Sequence, residues 1–267
     1  MDGVFTLVLP RNAFTPRERA RAGDVWRACQ DAAVFASMRA GWPPSRYVTQ
    51  KTSFIVRAMA VVHERETSYG DQLQARTWVS RVRREMFSTR EVRIAGPEGA
   101  VARATQEWVH VAADLTPTRA GAELLAAFPV LDVPDESSVT LPDVATKIDG
   151  RTHTLTFRCW HTWMDPLAHI NHPVYVDWSD ESVSCAMKNA HLPPVELVPV
   201  AESAVFKSGV VADQEVTVSS SVTGLTASGD VVFAHRIVDD AGTLCAQVTT
   251  VRRLATQPAV ILLDALR

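Results

Sequence analysis

Asp165, His169 and Asn171 lie within one short stretch, Met164-Asp165-Pro166-Leu167-Ala168-His169-Ile170-Asn171-His172-Pro173. A carboxylate can activate water or attack a carbonyl, an imidazole can carry a proton, and a carboxamide can hold either in place. Pro173 suits the first turn of a helix, and a helix N-terminus offers N–H groups and a positive dipole end to a developing oxyanion. The spacing points to acyl chemistry beside a helix start. A plainer reading has Asp165 and Asn171 capping turns and His169 packed in a core.

Those side chains need elements to position them. Residues 173–191 read as the helix that the stretch leads into, and 154–159, 203–211, 215–223, 231–238 and 244–254 alternate as antiparallel strands. The first half carries the same plan: a strand at 7–12, a helix at 22–41, and strands at 53–64, 72–80, 87–94 and 101–112. Gly96-Pro97-Glu98-Gly99 is its hairpin loop. Gly70-Asp71-Gln72 matches Ala212-Asp213-Gln214, and Arg93-Ile94 matches Arg236-Ile237, an offset of 142 to 143 residues. The helices align at an offset of 150, so a longer connection is expected at about 41–48, where Pro43-Pro44 occurs. At that offset Thr15, Arg19 and Arg21 stand where Asp165, His169 and Asn171 do, so one site per chain is expected. The organisation reads as a first domain over 1–133, a proline-bearing linker over 134–146 and a second domain over 147–267, all α+β.

Composition narrows the class. The chain of 267 residues is 46% hydrophobic and 21% charged, as in soluble globular proteins. Its only early apolar run, 4–9, is too short for a signal peptide or a membrane span, so a cytoplasmic protein without membrane contact is expected. Cys29, Cys159, Cys185 and Cys245 are scattered, which suggests neither zinc nor disulfides; no metal and no cofactor is expected. Of these, only Cys185 lies near the motif as an alternative nucleophile. Residues 1–133 carry 18 Lys/Arg against 14 Asp/Glu, while 134–267 carry 9 against 16. Clusters at Arg17, Arg19, Arg21 and at Arg81, Arg83, Arg84 face an acidic partner or are solvated surfaces. Aromatic residues do not interleave them, which argues against nucleic acid.

Asp165, His169, Ile170-Asn171, Tyr175, Trp178 and Glu181-Ser182 together resemble the active-site segment of hotdog-fold thioesterases, with the closest likeness to acyl-acyl-carrier-protein thioesterases of plants and bacteria. Cys29-Gln30-Asp31-Ala32-Ala33, Arg76-Thr77-Trp78, Gln106-Glu107-Trp108-Val109 and Thr118-Arg119 extend the resemblance to the first half. It implies two tandem hotdog folds, each a long helix wrapped by a twisted antiparallel sheet. It also implies hydrolysis of an acyl thioester of acyl carrier protein or coenzyme A, in a monomer or homodimer. Asp165 would be base or nucleophile, His169 would polarise or protonate, and Asn171 would hold the loop or donate a hydrogen bond. Backbone N–H groups near Asn171 to Val174 would receive the oxyanion. Glu181, Tyr175 and Ser208 would support the site, and Trp26, Cys29, Ala33 and Met38 would line the acyl pocket. Leu167 departs from the family, which has Asn there, and residues 206–208 replace a Glu-Cys pair. A 3-hydroxyacyl-thioester dehydratase and a non-catalytic acyl- or carrier-binding protein are the alternatives.

Overall fold

Alternation of apolar and polar residues builds a five-stranded antiparallel sheet from the first half of the chain. Its strands are β1 (Gly3–Leu7), β2 (Thr52–His63), β3 (Leu73–Arg83), β4 (Phe87–Gly96) and β5 (Gly99–Ala112), in the order β1-β3-β4-β5-β2. In β1, Phe5 and Leu7 are buried while Val4 and Thr6 are exposed, as the two-residue period of a strand requires. Gly96 pairs with Gly99 across a turn at Pro97-Glu98, and Gly99 takes φ +114°, which favours glycine. Helix α1 (Ala22–Arg39) buries Val25, Trp26, Cys29, Ala32 and Ala33, a single face at helical spacing. Two short helices, α2 (Pro44–Thr49) and α3 (Ala122–Ala127), complete this part.

The computed structural model describes residues 3–134 and 136–266. The chain is α+β and divides into two units, one mainly of residues 24–140 and one mainly of residues 141 onward. Asp135, in the expected linker, lies outside the described residues.

The second unit repeats the first. Its strands are β6 (Val144–Lys147), β7 (Thr152–Arg158), β8 (Leu197–Phe206), β9 (Glu215–Thr226), β10 (Val231–Asp239) and β11 (Leu244–Leu254). The order β7-β9-β10-β11-β8 is that of the first sheet strand for strand, and every pairing within it is antiparallel. β6 also pairs with β9, near Gly224, where a Cβ would stand 2.5 Å from the Thr146 carbonyl oxygen; only glycine permits that approach. Helix α4 (Val174–Asn189) buries Tyr175, Trp178, Val183 and Met187. A terminal helix, α5 (Ala259–Leu266), adds Leu262, Leu263 and Leu266 to the cluster around Val183, Met187 and Phe233. Each such side chain contributes about 2 kcal/mol by leaving water. Among the described residues no helix is long and apolar enough to cross a membrane.

Four expectations are corrected. The strand expected at 7–12 is β1, because Leu7 pairs with the first residue of β3 and Pro10 lacks an N–H; a 3-10 turn, Arg11–Ala13, follows. The strand expected at 203–211 begins earlier, since β11 dictates its register from Leu197 to Phe206. The longer connection in the first half is real, twelve residues (40–51) against seven (190–196), yet it folds as α2. The expected linker contains β6, and α5 lies where no element was expected.

Candidate active site

The loop before α4 is closed on itself. Met164 and Ile170 form an antiparallel bridge, the Asp165 N–H donates to the His169 carbonyl at 2.8 Å, and the Ala168 N–H donates to the Asp165 carbonyl at 3.0 Å. Ala168 adopts φ +63°, the left-handed conformation this tight turn demands. Asp165 Oδ1 accepts the Leu167 N–H at 2.8 Å and lies 3.4 Å from His169 Nδ1. Asp165 Oδ2 has no hydrogen-bond partner among the described residues. The two side chains keep 12% and 21% of their surface exposed, enough for a substrate to reach them. Asn171 is half-buried, and its N–H donates to the Trp163 carbonyl at 3.0 Å.

Of the donors expected for an oxyanion, those of Asn171 and Val174 are otherwise engaged. The N–H groups of Ile170, Asn171 and Val174 donate to the carbonyls of Val210, Trp163 and Asn171, and Pro173 has none. The His169 N–H, by contrast, has no acceptor among the described residues. Pro173 precedes the helix as its N-cap rather than opening it.

Aromatic rings surround the loop. Trp163 meets Phe157 and Trp178 edge-on, with centroids 5.9 Å and 5.7 Å away, and Tyr175 packs on Trp178 at 4.7 Å and Phe206 at 5.3 Å. Trp160, 65% exposed, stacks on Trp163 at 5.0 Å. Burial above all, with Cys245, Cys159 and the Asp165 carboxylate adding, holds the Tyr175 phenol above its usual range. Trp160, Trp163 and Gly209 were not singled out from the sequence, although the density of tryptophan from 160 to 178 was a visible signal. A Cβ on Gly209 would touch the His169 ring at 3.7 Å.

The first half contains the same loop without its chemistry. Phe14 bridges Ala20 as Met164 bridges Ile170, and Glu18 takes φ +60° where Ala168 takes φ +63°. The Thr15 hydroxyl accepts the Arg17 N–H at 3.3 Å, as Asp165 accepts that of Leu167. The backbone is duplicated; the carboxylate and imidazole are not.

The other expected residues are dispersed. Ser208 is exposed in the loop after β8, its N–H on the Cys245 carbonyl at 3.2 Å. Glu181 is exposed and meets Cys185 Sγ at 3.9 Å; burial, with this carboxylate next, raises the Cys185 thiol pKa, contrary to a nucleophile's need. Trp26, Cys29 and Ala33 are buried on α1, whereas Met38 is 47% exposed on its last turn. Leu167 points to the surface. Among the described residues no group of three or more His, Cys, Asp or Glu could hold a metal ion.

Beneath α4 the half-buried Asp180 and the buried Glu202 share one cation. Arg252, fully buried, donates from Nε to Asp180 Oδ1 at 2.9 Å and from Nη1 to the buried Glu202. Beside this group runs a hydrogen-bonded chain. Ser220 donates to Ser182 at 2.8 Å, Ser220 Oγ and His235 Nδ1 are 2.7 Å apart, and His235 Nε2 and Thr250 Oγ1 are 2.9 Å apart. Because Ser220 gives its proton to Ser182, Nδ1 donates to Ser220; burial keeps the ring neutral, so Nε2 accepts from the Thr250 hydroxyl.

No protein-family profile and no curated protein matches the chain. Solved structures match it over nearly its whole length. A Lactobacillus plantarum structure assigned as an oleoyl thioesterase superposes with a TM-score of 0.81 at 17% identity, covering 96% of this chain and 98% of that one. An acyl-ACP thioesterase from Bacteroides thetaiotaomicron gives 0.73 at 12% identity, covering 94% and 98%. The 12:0-ACP thioesterase from Umbellularia californica gives 0.73 at 14% identity, covering 95% and 94%. From β1 to the end of the second sheet, the chain has the fold of these thioesterase structures.

Proposed function

We propose that the protein is a tandem hotdog thioesterase, hydrolysing an acyl thioester of acyl carrier protein or coenzyme A at one site on the loop 164–171. The observation that carries this reading is the Asp165 carboxylate. One oxygen is fixed by the Leu167 N–H and faces His169, while the other has no internal partner, within a fold shared with thioesterase structures.

Asp165 Oδ2 removes a proton from water as the water oxygen attacks the thioester carbonyl carbon. The C–O bond forms, and the carbonyl electron pair moves onto its oxygen, for which the His169 N–H is the available donor. Collapse of this intermediate breaks the C–S bond. The leaving thiolate takes the proton that Asp165 removed from water, directly or relayed through His169, giving a carboxylic acid and a thiol and returning both side chains to their starting state. The Asn171 N–H ties the loop to the carbonyl of Trp163, the last residue of a 3-10 turn over His161–Trp163. Rings of Trp163, Tyr175, Trp178 and Phe206 keep the surroundings dry, which strengthens each charge interaction. The first unit, with Thr15, Arg19 and Arg21 at the equivalent positions, is assigned no chemistry; the buried α1 side chains Trp26, Cys29 and Ala33 suit it to shaping the acyl pocket.

Thiol release from octanoyl and palmitoyl thioesters of coenzyme A and of acyl carrier protein tests the reading. Asp165→Asn is expected to lower kcat by about 100-fold or more with an unchanged unfolding midpoint. Full activity in that variant would remove Asp165 from the mechanism. No thiol release by the wild-type protein from any of the four thioesters would refute hydrolysis itself.

A further inference from the structure

The first unit holds a cation with no acidic partner among the described residues. Arg90, on β4, is 8% exposed, and its polar contact among the described residues is a marginal 3.4 Å hydrogen bond to Thr77 Oγ1; its guanidinium also lies 5.5 Å from the centre of the Phe128 ring. Other arginines of this unit are matched by acids: Arg93 by Glu136 at 2.7 Å, Arg103 by Glu64 at 2.6 Å, Arg57 by Glu107 at 3.2 Å. A guanidinium carries five donors and does not lose its charge, so burial without a counter-ion leaves most of its hydrogen-bonding capacity unused. Loss of water around Arg90 pushes its pKa down to about 10.

Arg90 lines a cleft of about 30 Å³ that opens to solvent, together with Phe5, Ala36, Trp78, Val79, Phe128 and Leu131. A second arginine, Arg39 at the end of α1, sits at the same cleft, 3.3 Å from the Val4 carbonyl and over the Phe5 ring, again with no acidic partner among the described residues. Among the described residues no Asp or Glu lines the cleft. Two unmatched guanidinium groups against an apolar, aromatic wall select one kind of ligand: an anionic head on an apolar body.

We propose that this cleft binds an amphiphilic monocarboxylate, its carboxylate between Arg90 and Arg39 and its apolar body against Trp78 and Phe128. Planar carboxylates match the guanidinium fork, and Phe128 and Trp78 supply the surface that an inorganic anion would not use. None of the proposed catalytic residues lines the cleft, so the inference stands or falls apart from hydrolysis.

Calorimetric titration of the full-length protein with octanoate, 1-octanol and inorganic phosphate tests it. Octanoate is expected to bind about tenfold or more tightly than octanol, the difference that a charge-assisted pair supplies, and more tightly than phosphate. In Arg90→Met the octanoate preference should vanish, while Asp165→Asn should retain it. Trp78→Phe should lose a tryptophan fluorescence change that wild type shows on octanoate addition. Should Arg90→Met not fold, Arg39→Ala serves in its place and should weaken octanoate at least threefold without changing octanol. Equal affinity for octanoate and octanol, phosphate binding as tight as octanoate, an unchanged preference in folded Arg90→Met, or an unchanged octanoate affinity in Arg39→Ala overturns the proposal.

Discussion

At the scale of single residues, the loop 164–171 owes its form to short-range bonding. Asp165 accepts the N–H two residues on, a habit of Asp in turns, and this is why a motif spaced in sequence is also assembled in space. The left-handed turn at Ala168 was not legible, because alanine has no preference for it; closure of the Met164–Ile170 bridge imposes it. Gly209 was equally silent, since only the fold brings it to His169. Its Cβ position is 3.6 Å from His169 Cβ, an ordinary contact, so Gly209→Ala should leave kcat/KM within about twofold. Gly209→Val places a branched carbon over the imidazole and should lower kcat/KM about tenfold or more, with no shift in unfolding midpoint. Equal rates for the two variants would show that the His169 ring is not approached from that side.

At the scale of elements, α4 turns the sequence reading by one residue. Glu181, expected to support the site, is exposed, whereas Asp180, about 100° away around the helix, faces Arg252. Burial, against the pull of Arg252, lifts Asp180 to about 6, so its neutral form is favoured in the fold. Its stabilisation is present below the ordinary carboxylate value and is lost as pH rises through 6. His235 runs the other way. Burial, with the charge of Arg252 next, pushes it down to about 3 from 6.5, so the unfolded chain takes up the proton first. The stability it confers is present above pH 6.5 and is lost as pH falls toward 3, by at most about 1.4 kcal/mol per pH unit. His235→Gln should therefore become more stable relative to wild type between pH 6.5 and 4.5, by up to about 3 kcal/mol, as read from urea unfolding at both values. A gap that stays constant with pH would show that His235 does not titrate as its burial requires.

At the scale of the whole molecule, net charge is divided between the halves, and the structure identifies which cations are free to act. Arg83 approaches Glu107 at 4.0 Å, whereas Arg81 and Arg84 are exposed without acidic partners among the described residues. If an acidic carrier protein delivers the acyl group, Arg81→Glu with Arg84→Glu should raise KM for the acyl-carrier substrate at least threefold at low salt and leave KM for acyl-coenzyme A unchanged, since surface steering is long-ranged and screened. Identical KM values for variant and wild type would remove this patch from carrier binding. The sequence by itself determined the two-fold plan of the chain, most strands and both long helices, and the position of one carboxylate–imidazole loop in the second half. Those depend on the local period of two or 3.6 residues, on turn chemistry and on an internal offset, all of which are written in neighbouring residues. Only the tertiary structure decided strand register, the helix α5, the pairing of Asp180 with Arg252, and the separation of Arg90 from every described acid. Each depends on residues far apart in the chain meeting across a sheet or under a helix, and a charge is matched or left unmatched only when those long-range pairings are made.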